Sequence, residues 1–188
     1  MDPQPRWRHR DGRRPRGPHR RPPRGAALSE HRALEDLGGR GLAHRVLRHG
    51  PVRSLAEAAA ARGVEPVDVV KTMLLRRGQG DHLLVLVPGD RVISWPKLRA
   101  LLGVTRLSMP DASTARDVTG YERGTITPLG LALEVVADER VVGREITLGA
   151  GAHGVAVAVD ADAVLASFAA TVADVTDPEP TPEPEPQP

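Results

Sequence analysis

The apolar and polar positions of residues 26–175 change period every few residues, which predicts short strands with helices between them. The run VDVVKTMLL at residues 67–75 is almost continuously apolar and rich in β-branched side chains, which predicts a strand buried on both faces. A glycine-containing turn and a second apolar run complete a predicted hairpin over residues 69–87. Further strands are predicted at residues 42–47, 104–108, 131–136, 145–148, 155–159 and 172–175.

Helices are predicted where a capping residue precedes an apolar stretch and a glycine often follows it. Ser54 and Glu57 form a capping-box pattern before an alanine run that ends at Gly63. Similar patterns predict helices at residues 28–37, 94–102, 111–118 and 160–168. The regular strand–helix alternation of a doubly wound fold is missing. We therefore expect a compact α+β fold, with a mixed, largely antiparallel, barrel-like sheet and inserted helices.

Two segments of different composition flank this region. Residues 1–25 contain nine Arg with Pro, Gly and His, and residues 176–188 read TDPEPTPEPEPQP. Neither can bury enough apolar surface to offset chain entropy, so we predict a disordered basic tail, one domain at residues 26–175, and a disordered acidic tail. The basic tail suits non-specific contact with phosphate backbones, although a solvated extension explains its composition as well.

The totals exclude several classes of protein. The net charge of +2 hides +7 in residues 1–25 and −4 in residues 176–188, so the domain is close to neutral. The absence of Cys excludes a thiol nucleophile, a disulfide framework and a Cys-ligated zinc site. No apolar run approaches about 18 residues, and the N-terminus lacks the apolar region of a secretory signal. We expect a cytoplasmic protein without a membrane partner.

Residues 119–130, TGYERGTITPLG, form the most unusual stretch of the chain. They hold three glycines, a proline and the only tyrosine, Tyr121, a composition that neither a helix nor a regular strand tolerates. A rigid loop with exposed backbone groups would suit a small polar substrate. A tight connection with turn chemistry only would have the same composition.

Lys71 and Lys97 are the only lysines in an arginine-rich chain. Lys71 interrupts the apolar run, and a buried ammonium is costly unless it is paired, so we expect it to reach a cleft or a carboxylate. An edge position, from which the long stem extends to water, is the alternative. Lys97 lies in a predicted helix among polar neighbours, and we expect it at the surface.

The segment GAGAHG at residues 149–154 matches G-x-G-x-x-G. A dinucleotide site requires a helix next, whereas the alternating VAVAVD that follows predicts a strand, so we reject that interpretation. His153 in this bend could bind substrate or move a proton, or be a hydrogen-bonded loop residue. No metal-ligand pattern and no G-x-S-x-G elbow are found. A site of one Lys, one His and glycine-lined backbone suits the orientation of a labile ester for attack by water.

Four pieces, in this order, resemble the YbaK/prolyl-tRNA-synthetase-associated domain family of aminoacyl-tRNA editing deacylases. They are VVKTMLL around Lys71, the loop at 119–130, ADER at 137–140 and GAGAHG at 149–154. The resemblance covers roughly residues 30–175. It implies hydrolysis, in trans, of the ester of a mischarged tRNA, commonly alanine or cysteine on tRNA-Pro, without a metal or another cofactor.

The resemblance also implies a set of site residues. Lys71 would be the key polar residue of the pocket, and the G-x-x-x-P loop would supply backbone contacts around the scissile ester. The substrate-binding residues that it implies are Gly124, Thr125, Pro128, Gly130, His153 and His49.

The domain departs from many RNA-binding modules because it holds only three aromatic residues, Trp95, Tyr121 and Phe168. Charge and shape would then hold the tRNA, or a synthetase or elongation factor would deliver it, and we expect no DNA partner. The alternative is a catalytically inert module of the same fold that binds tRNA or a synthetase. The two hypotheses differ in whether Lys71 and the Gly124–Pro128 loop meet in one pocket.

Overall fold

The computed structural model describes residues 24–180. Its helices are α1 (Arg24–Gly39), α2 (Leu55–Arg62), α3 (Trp95–Leu102), α4 (Ala112–Thr119) and α5 (Ala161–Ser167). Its strands are β1 (His44–Arg48), β2 (Lys71–Gly78), β3 (Asp81–Val87), β4 (Arg91–Ile93), β5 (Glu134–Asp138), β6 (Glu145–Gly149), β7 (Val155–Asp160), β8 (Thr171–Ala173) and β9 (Thr176–Pro178). Predictions for residues 1–23 and 181–188 lie outside the described residues.

The strands form three sheets that combine antiparallel and parallel pairs. The largest sheet has the order β2-β3-β5-β8, in which β2 and β3 are an antiparallel hairpin and β5 and β8 are added in parallel. The second sheet, β1-β7-β6, is antiparallel throughout, and β4 pairs with β9. A parallel bridge between Val69 and Thr147 connects β6 to the chain just before β2. The predicted α+β fold with a mixed, largely antiparallel arrangement is confirmed.

Strand β3 separates two apolar clusters. Leu84 and Leu86 face the larger cluster, which also takes side chains from β6, β7, α1 and α5. Leu83, Val85 and Val87 face the smaller cluster, which α3 covers through Leu98. Each fully buried side chain of this size contributes about 1.5–3 kcal/mol relative to exposure. The hairpin that carries Lys71 is thus attached to the centre of the fold.

The sequence patterns are wrong about two strands. The apolar run of β2 predicts burial on both faces, but only Leu74 and Leu75 of β2 are buried, whereas residues 83–87 of β3, the inner strand, are all buried. The strand predicted at residues 104–108 is absent from the described chain, where only Ser108 makes a bridge, to Arg76. Apolar content alone does not distinguish an edge strand from its central neighbour, because both contribute side chains to the same cores.

The predicted start of the acidic tail at residue 176 is also wrong. Thr176 is fully buried, and the β9 strand that it begins pairs with β4. The Thr176 hydroxyl donates a 2.7 Å hydrogen bond to the buried carboxylate of Asp138. This buried polar contact joins β9 to β5. The Pro- and Glu-rich composition of residues 176–188 gives no indication of it. At the other end, α1 begins at Arg24 rather than at residue 28.

No helix within residues 24–180 has the length and hydropathy needed to cross a lipid bilayer.

Candidate functional site

A cavity of about 530 Å³ opens beside the free edge of β2. The bridges of Val69 with Thr147 and of Arg76 with Ser108 mark the two ends of this edge. Between them, no strand within residues 24–180 pairs with the outer side of β2. The other walls come from the end of α2, residues 109–112 before α4, the loop at 123–126, and Gly149. The cavity therefore occupies the place of a missing strand.

Lys71 and Gly124 line this cavity together. Lys71 is half-buried, and its ammonium donates hydrogen bonds to the carbonyl oxygens of Gly89 at 2.9 Å and of Arg91 at 2.5 Å. Burial lowers the pKa of Lys71, against the opposing effect of the carboxylates of Glu179 and Asp90. The side chain is not directed to bulk solvent, although its strand has the edge position of the alternative interpretation. Gly89 and Arg91, which hold the ammonium, are not cavity walls, so Lys71 borders the cavity while its ammonium is bound beside it.

Gly124 presents backbone to the cavity in a left-handed conformation, with φ of +85°. A Cβ there would have His153 Cε1, at 3.6 Å, as its nearest neighbour. The adjacent Thr125 is buried and is not a wall of the cavity. Its hydroxyl donates to the carbonyl of Glu122 at 2.9 Å. Thr125 therefore holds the turn that presents Gly124, and the structure does not place it as a substrate contact.

Neither Pro128 nor Gly130 is a wall of the cavity: Pro128 is buried, and Gly130 faces α1. The Gly130 N–H donates to Asp36 Oδ2 at 2.9 Å, and a Cβ on Gly130 would approach Arg32 Cγ to 2.8 Å. Both residues are expected to contact substrate, and the structure places neither in the lining of this cavity. Gly130 is required there because its φ of +71° and the close approach of Arg32 leave no space for a side chain.

The two predicted histidines lie at the margin of the cavity. His153 is mostly exposed, and its Nε2 lies 3.9 Å from Glu122 Oε2. His49 Nδ1 donates to the Gly50 carbonyl at 2.8 Å, so that its Nε2 accepts from Arg62 Nε at 3.4 Å. Neither histidine is a cavity wall. His153 lies beside Gly124, and His49 is hydrogen-bonded to Arg62, and both of these neighbours line the cavity.

Tyr121 anchors the glycine-rich loop. Its ring is fully buried, and its hydroxyl donates to the Leu129 carbonyl at 2.6 Å and accepts from Arg32 Nε at 3.2 Å. The Arg32 guanidinium also lies 4.0 Å from the ring centre. Burial raises the pKa of Tyr121, so the phenol keeps its proton. The bond to Leu129 spans eight residues and holds the loop in the shape that exposes Gly124.

The sequence patterns gave no indication of Arg62, at the end of α2. Its half-buried guanidinium lines the cavity and donates to Thr147 Oγ1 at 3.2 Å, in addition to His49. Burial lowers the pKa of Arg62, and no carboxylate within residues 24–180 lies in ion-pair range of it. In a chain with 24 arginines, a functional arginine has no signal in composition.

Charge in the cavity is predominantly positive. Arg62, Lys71 and Arg123 line it, against the single carboxylate of Asp111. That carboxylate caps α4 by accepting from the Thr114 N–H at 2.8 Å, and it also accepts from the Ser113 hydroxyl. The hydrogen bonds from Thr114 and Ser113 lower the pKa of Asp111 to about 2. Thr72 adds a buried hydroxyl oxygen that has no hydrogen-bond partner within residues 24–180. The arrangement suits a ligand that carries negative charge or develops it.

Comparisons with known proteins show the family to which the chain is similar. Residues 49–166 match the family model described as aminoacyl-tRNA editing domain. The chain is 37% identical to proline–tRNA ligase of Desulforamulus reducens over 91 residues, which are 48% of this chain and 16% of that enzyme. It is 32% identical to proline–tRNA ligase of Syntrophotalea carbinolica over 121 residues, which are 62% of this chain and 21% of that enzyme. The chain thus spans about a fifth or less of the length of these relatives.

A solved structure described as a candidate trans-editing enzyme for prolyl-tRNA synthetase shares the fold. The TM-score is 0.73 at 27% identity, over 79% of this chain and 97% of that one. The match covers almost the whole length of that chain, whereas it covers only a small part of the longer ligases. The predicted family resemblance is confirmed by these matches.

Proposed function

Since the chain belongs to the aminoacyl-tRNA editing domain family, we propose that it hydrolyses the ester of a mischarged aminoacyl-tRNA in trans. The observation that carries this proposal is the positively charged cavity that Lys71 and Gly124 line together. The outer edge of β2 offers backbone donors and acceptors to the aminoacyl group, as a strand edge does to a peptide.

The proposed reaction needs no covalent intermediate. The oxygen of a water molecule adds to the ester carbonyl, the bond to the ribose oxygen breaks, and the ribose oxygen takes up the proton that water loses. The carbonyl oxygen becomes negative in the transition state. Cationic donors fixed beside it in a partly dry cavity stabilise that charge more than water does. Lys71 and Arg62 are the candidates for this role.

The hydrogen bonds of Lys71 are compatible with such a role. An ammonium group has three N–H donors, and the carbonyls of Gly89 and Arg91 use two of them. The third donor is not used by these carbonyls, and we propose that it reaches a substrate bound against the part of the cavity wall that Lys71 forms. Gly124 contributes a backbone wall that approaches the ester closely, because it has no side chain.

Alanine or cysteine on tRNA-Pro is the proposed substrate class, and the matches to two proline–tRNA ligases support this choice. Prolyl-tRNA-Pro is spared. With a cysteinyl ester, the thiol of the substrate could itself attack the carbonyl. We propose that the reaction needs no metal ion, because a wall with three cationic side chains and one carboxylate repels a cation. It would take place in the cytoplasm, with a synthetase or elongation factor delivering the mischarged tRNA.

The test is the release of amino acid from Ala-tRNA-Pro, Cys-tRNA-Pro and Pro-tRNA-Pro by the full chain, with and without a chelator. We expect rapid release of one mischarged species, slow release of proline, and no effect of the chelator. Rates equal to the spontaneous rate for all three would contradict the proposal. That outcome would favour the inert binding module, for which the bonding of the Lys71 ammonium to two protein carbonyls is the supporting observation.

A further inference from the structure

A second concave surface lies at the other end of β2. This groove, of about 690 Å³, is lined by Arg76, Arg77, Arg99 and Arg106 together with small polar and glycine residues. No aspartate or glutamate is among the residues that line it within the described chain. The domain as a whole is close to neutral, so four arginines around one groove are a local concentration of positive charge.

Most of the groove arginines have no ion-pair partner within residues 24–180, as is also true of some arginines elsewhere, such as Arg53 and Arg116. Several arginines elsewhere form ion pairs, namely Arg40 with Asp36, Arg45 with Glu145, Arg48 with Glu30, Arg140 with Asp138 and Arg144 with Asp68. In the groove, Arg77 is paired in this way, with Asp81 and Glu134. Arg76, Arg99 and Arg106 have no carboxylate in ion-pair range within residues 24–180. Three guanidinium groups are therefore available to an external anion.

The groove and the cavity share their walls. β2 supplies residues 71–74 to the cavity and residues 76–78 to the groove. The segment before α4 does the same, with Met109 in the cavity and Ser108 in the groove. Along a strand, the four residue steps from Thr72 to Arg76 span about 13 Å. A single polymeric ligand could thus occupy both surfaces.

We propose that the groove binds the sugar–phosphate backbone of the base-paired RNA stem whose 3′ end enters the cavity; this rests on the proposed function. Double-stranded RNA is recognised mainly by its shape and its phosphates, and arginine forks match phosphate geometry. The groove's lining offers such forks, and its one aromatic ring within the described residues is that of His82, whose Nε2 is buried. The short single-stranded end of the RNA runs along β2 from the groove into the cavity.

The experiment measures the affinity of the full chain for an RNA hairpin with a base-paired stem and a single-stranded CCA end that carries no amino acid. The affinity is measured as a function of salt concentration. The test variant is Arg76→Gln/Arg106→Gln, because both side chains are exposed. The control is Arg45→Gln/Arg48→Gln, which removes the same charge from exposed arginines of β1. Arg76→Lys/Arg106→Lys keeps the charge without the fork. Thermal unfolding of each variant verifies that it is folded.

We expect the glutamine groove variant to bind the hairpin about tenfold or more weakly at low salt. Its plot of log affinity against log salt should become shallower by roughly two, one unit for each phosphate that an arginine no longer neutralises. The β1 control should bind like the unaltered chain, and the lysine variant should lie between. Equal affinities and salt slopes for the groove variant and the β1 control would overturn the proposal, as would no binding by the unaltered chain.

Because the hairpin carries no amino acid, this result does not depend on hydrolysis. A chain that binds RNA through the groove but releases no amino acid would refute the proposed deacylase activity and leave the groove assignment standing. Release of amino acid with no effect of the groove variant on RNA affinity would do the reverse.

Discussion

The left-handed backbone of Gly124 allows the function of the cavity to be separated from the stability of the fold. Replacing Gly124 with Ala adds one methyl group at a cavity wall, in a place where the nearest other atom is His153 Cε1 at 3.6 Å. No atom has to move to admit it. The φ of +85° is therefore the main source of strain.

The expected loss of stability follows from that angle. An alanine in the left-handed region costs about 1–2 kcal/mol. For a protein of this size, each kcal/mol lowers Tm by roughly 2–4 °C, so we expect a decrease of about 2–8 °C. Gly143→Ala is the matched control, since Gly143 has a φ of +72° and no atom within 4 Å of an added Cβ. It lies in the turn before β6, outside the cavity.

The assay compares Tm and kcat/KM for deacylation of the substrate established for the unaltered chain. Both variants should lose similar stability, but only Gly124→Ala should lose activity. We expect that loss to be roughly tenfold to a hundredfold, because a displacement of about 1 Å at a reacting group has effects of this size. Equal activity of the two variants would refute the reasoning, and would mean that the Gly124 backbone does not approach the ester.

Three further predictions concern buried contacts that stabilise the fold. Tyr121→Phe removes the donor to the buried Leu129 carbonyl and should cost about 1–3 kcal/mol in urea unfolding, whereas no change would show that water replaces the bond. Burial alone would raise the pKa of Asp138, but hydrogen bonds, the one from Thr176 foremost, lower it overall. The stabilisation that ionised Asp138 gives the fold should therefore be present above the pKa of an unfolded carboxyl group and be lost as pH falls through the lower pKa of the folded state. In a plot of unfolding free energy against pH, Asp138→Asn should reduce the slope over this acidic range. Truncation after Val175 removes β9 and should lower Tm more than truncation after residue 180 does, and equal values would contradict a structural role of β9.

Much of the fold could be predicted from local patterns. The cap of α2 is an example, because the Ser54 hydroxyl accepts from the Glu57 N–H at 3.1 Å and Gly63 adopts the left-handed conformation that ends the helix. Such signals need only a few neighbouring residues. The β2–β3 hairpin was predictable for the same reason, since its two strands are joined by a short turn.

The errors arise where distant contacts decide the outcome. Thr176 lies in a polar, Pro-rich segment, yet it is buried because its hydroxyl donates a hydrogen bond to Asp138, 38 residues earlier. Gly130 belongs to the same loop as Gly124 but faces α1, which only the three-dimensional position of Asp36 explains. Arg62 has no local signal, because its role depends on the cavity that other elements form around it. The candidate site is therefore only partly predictable from the sequence.

The two lysines of the chain allow the most direct test of the deacylase site. Lys71 lines the cavity, whereas Lys97 lies on α3 and pairs with Asp174 and Asp177 at the surface. The measurement is kcat/KM for release of amino acid from mischarged tRNA-Pro by Lys71→Ala and Lys97→Ala, at a temperature where thermal unfolding shows both variants folded. We predict a loss of about 10²–10³-fold for Lys71→Ala and little change for Lys97→Ala. Equal rates for the two variants would contradict the assignment of the cavity as a deacylase site.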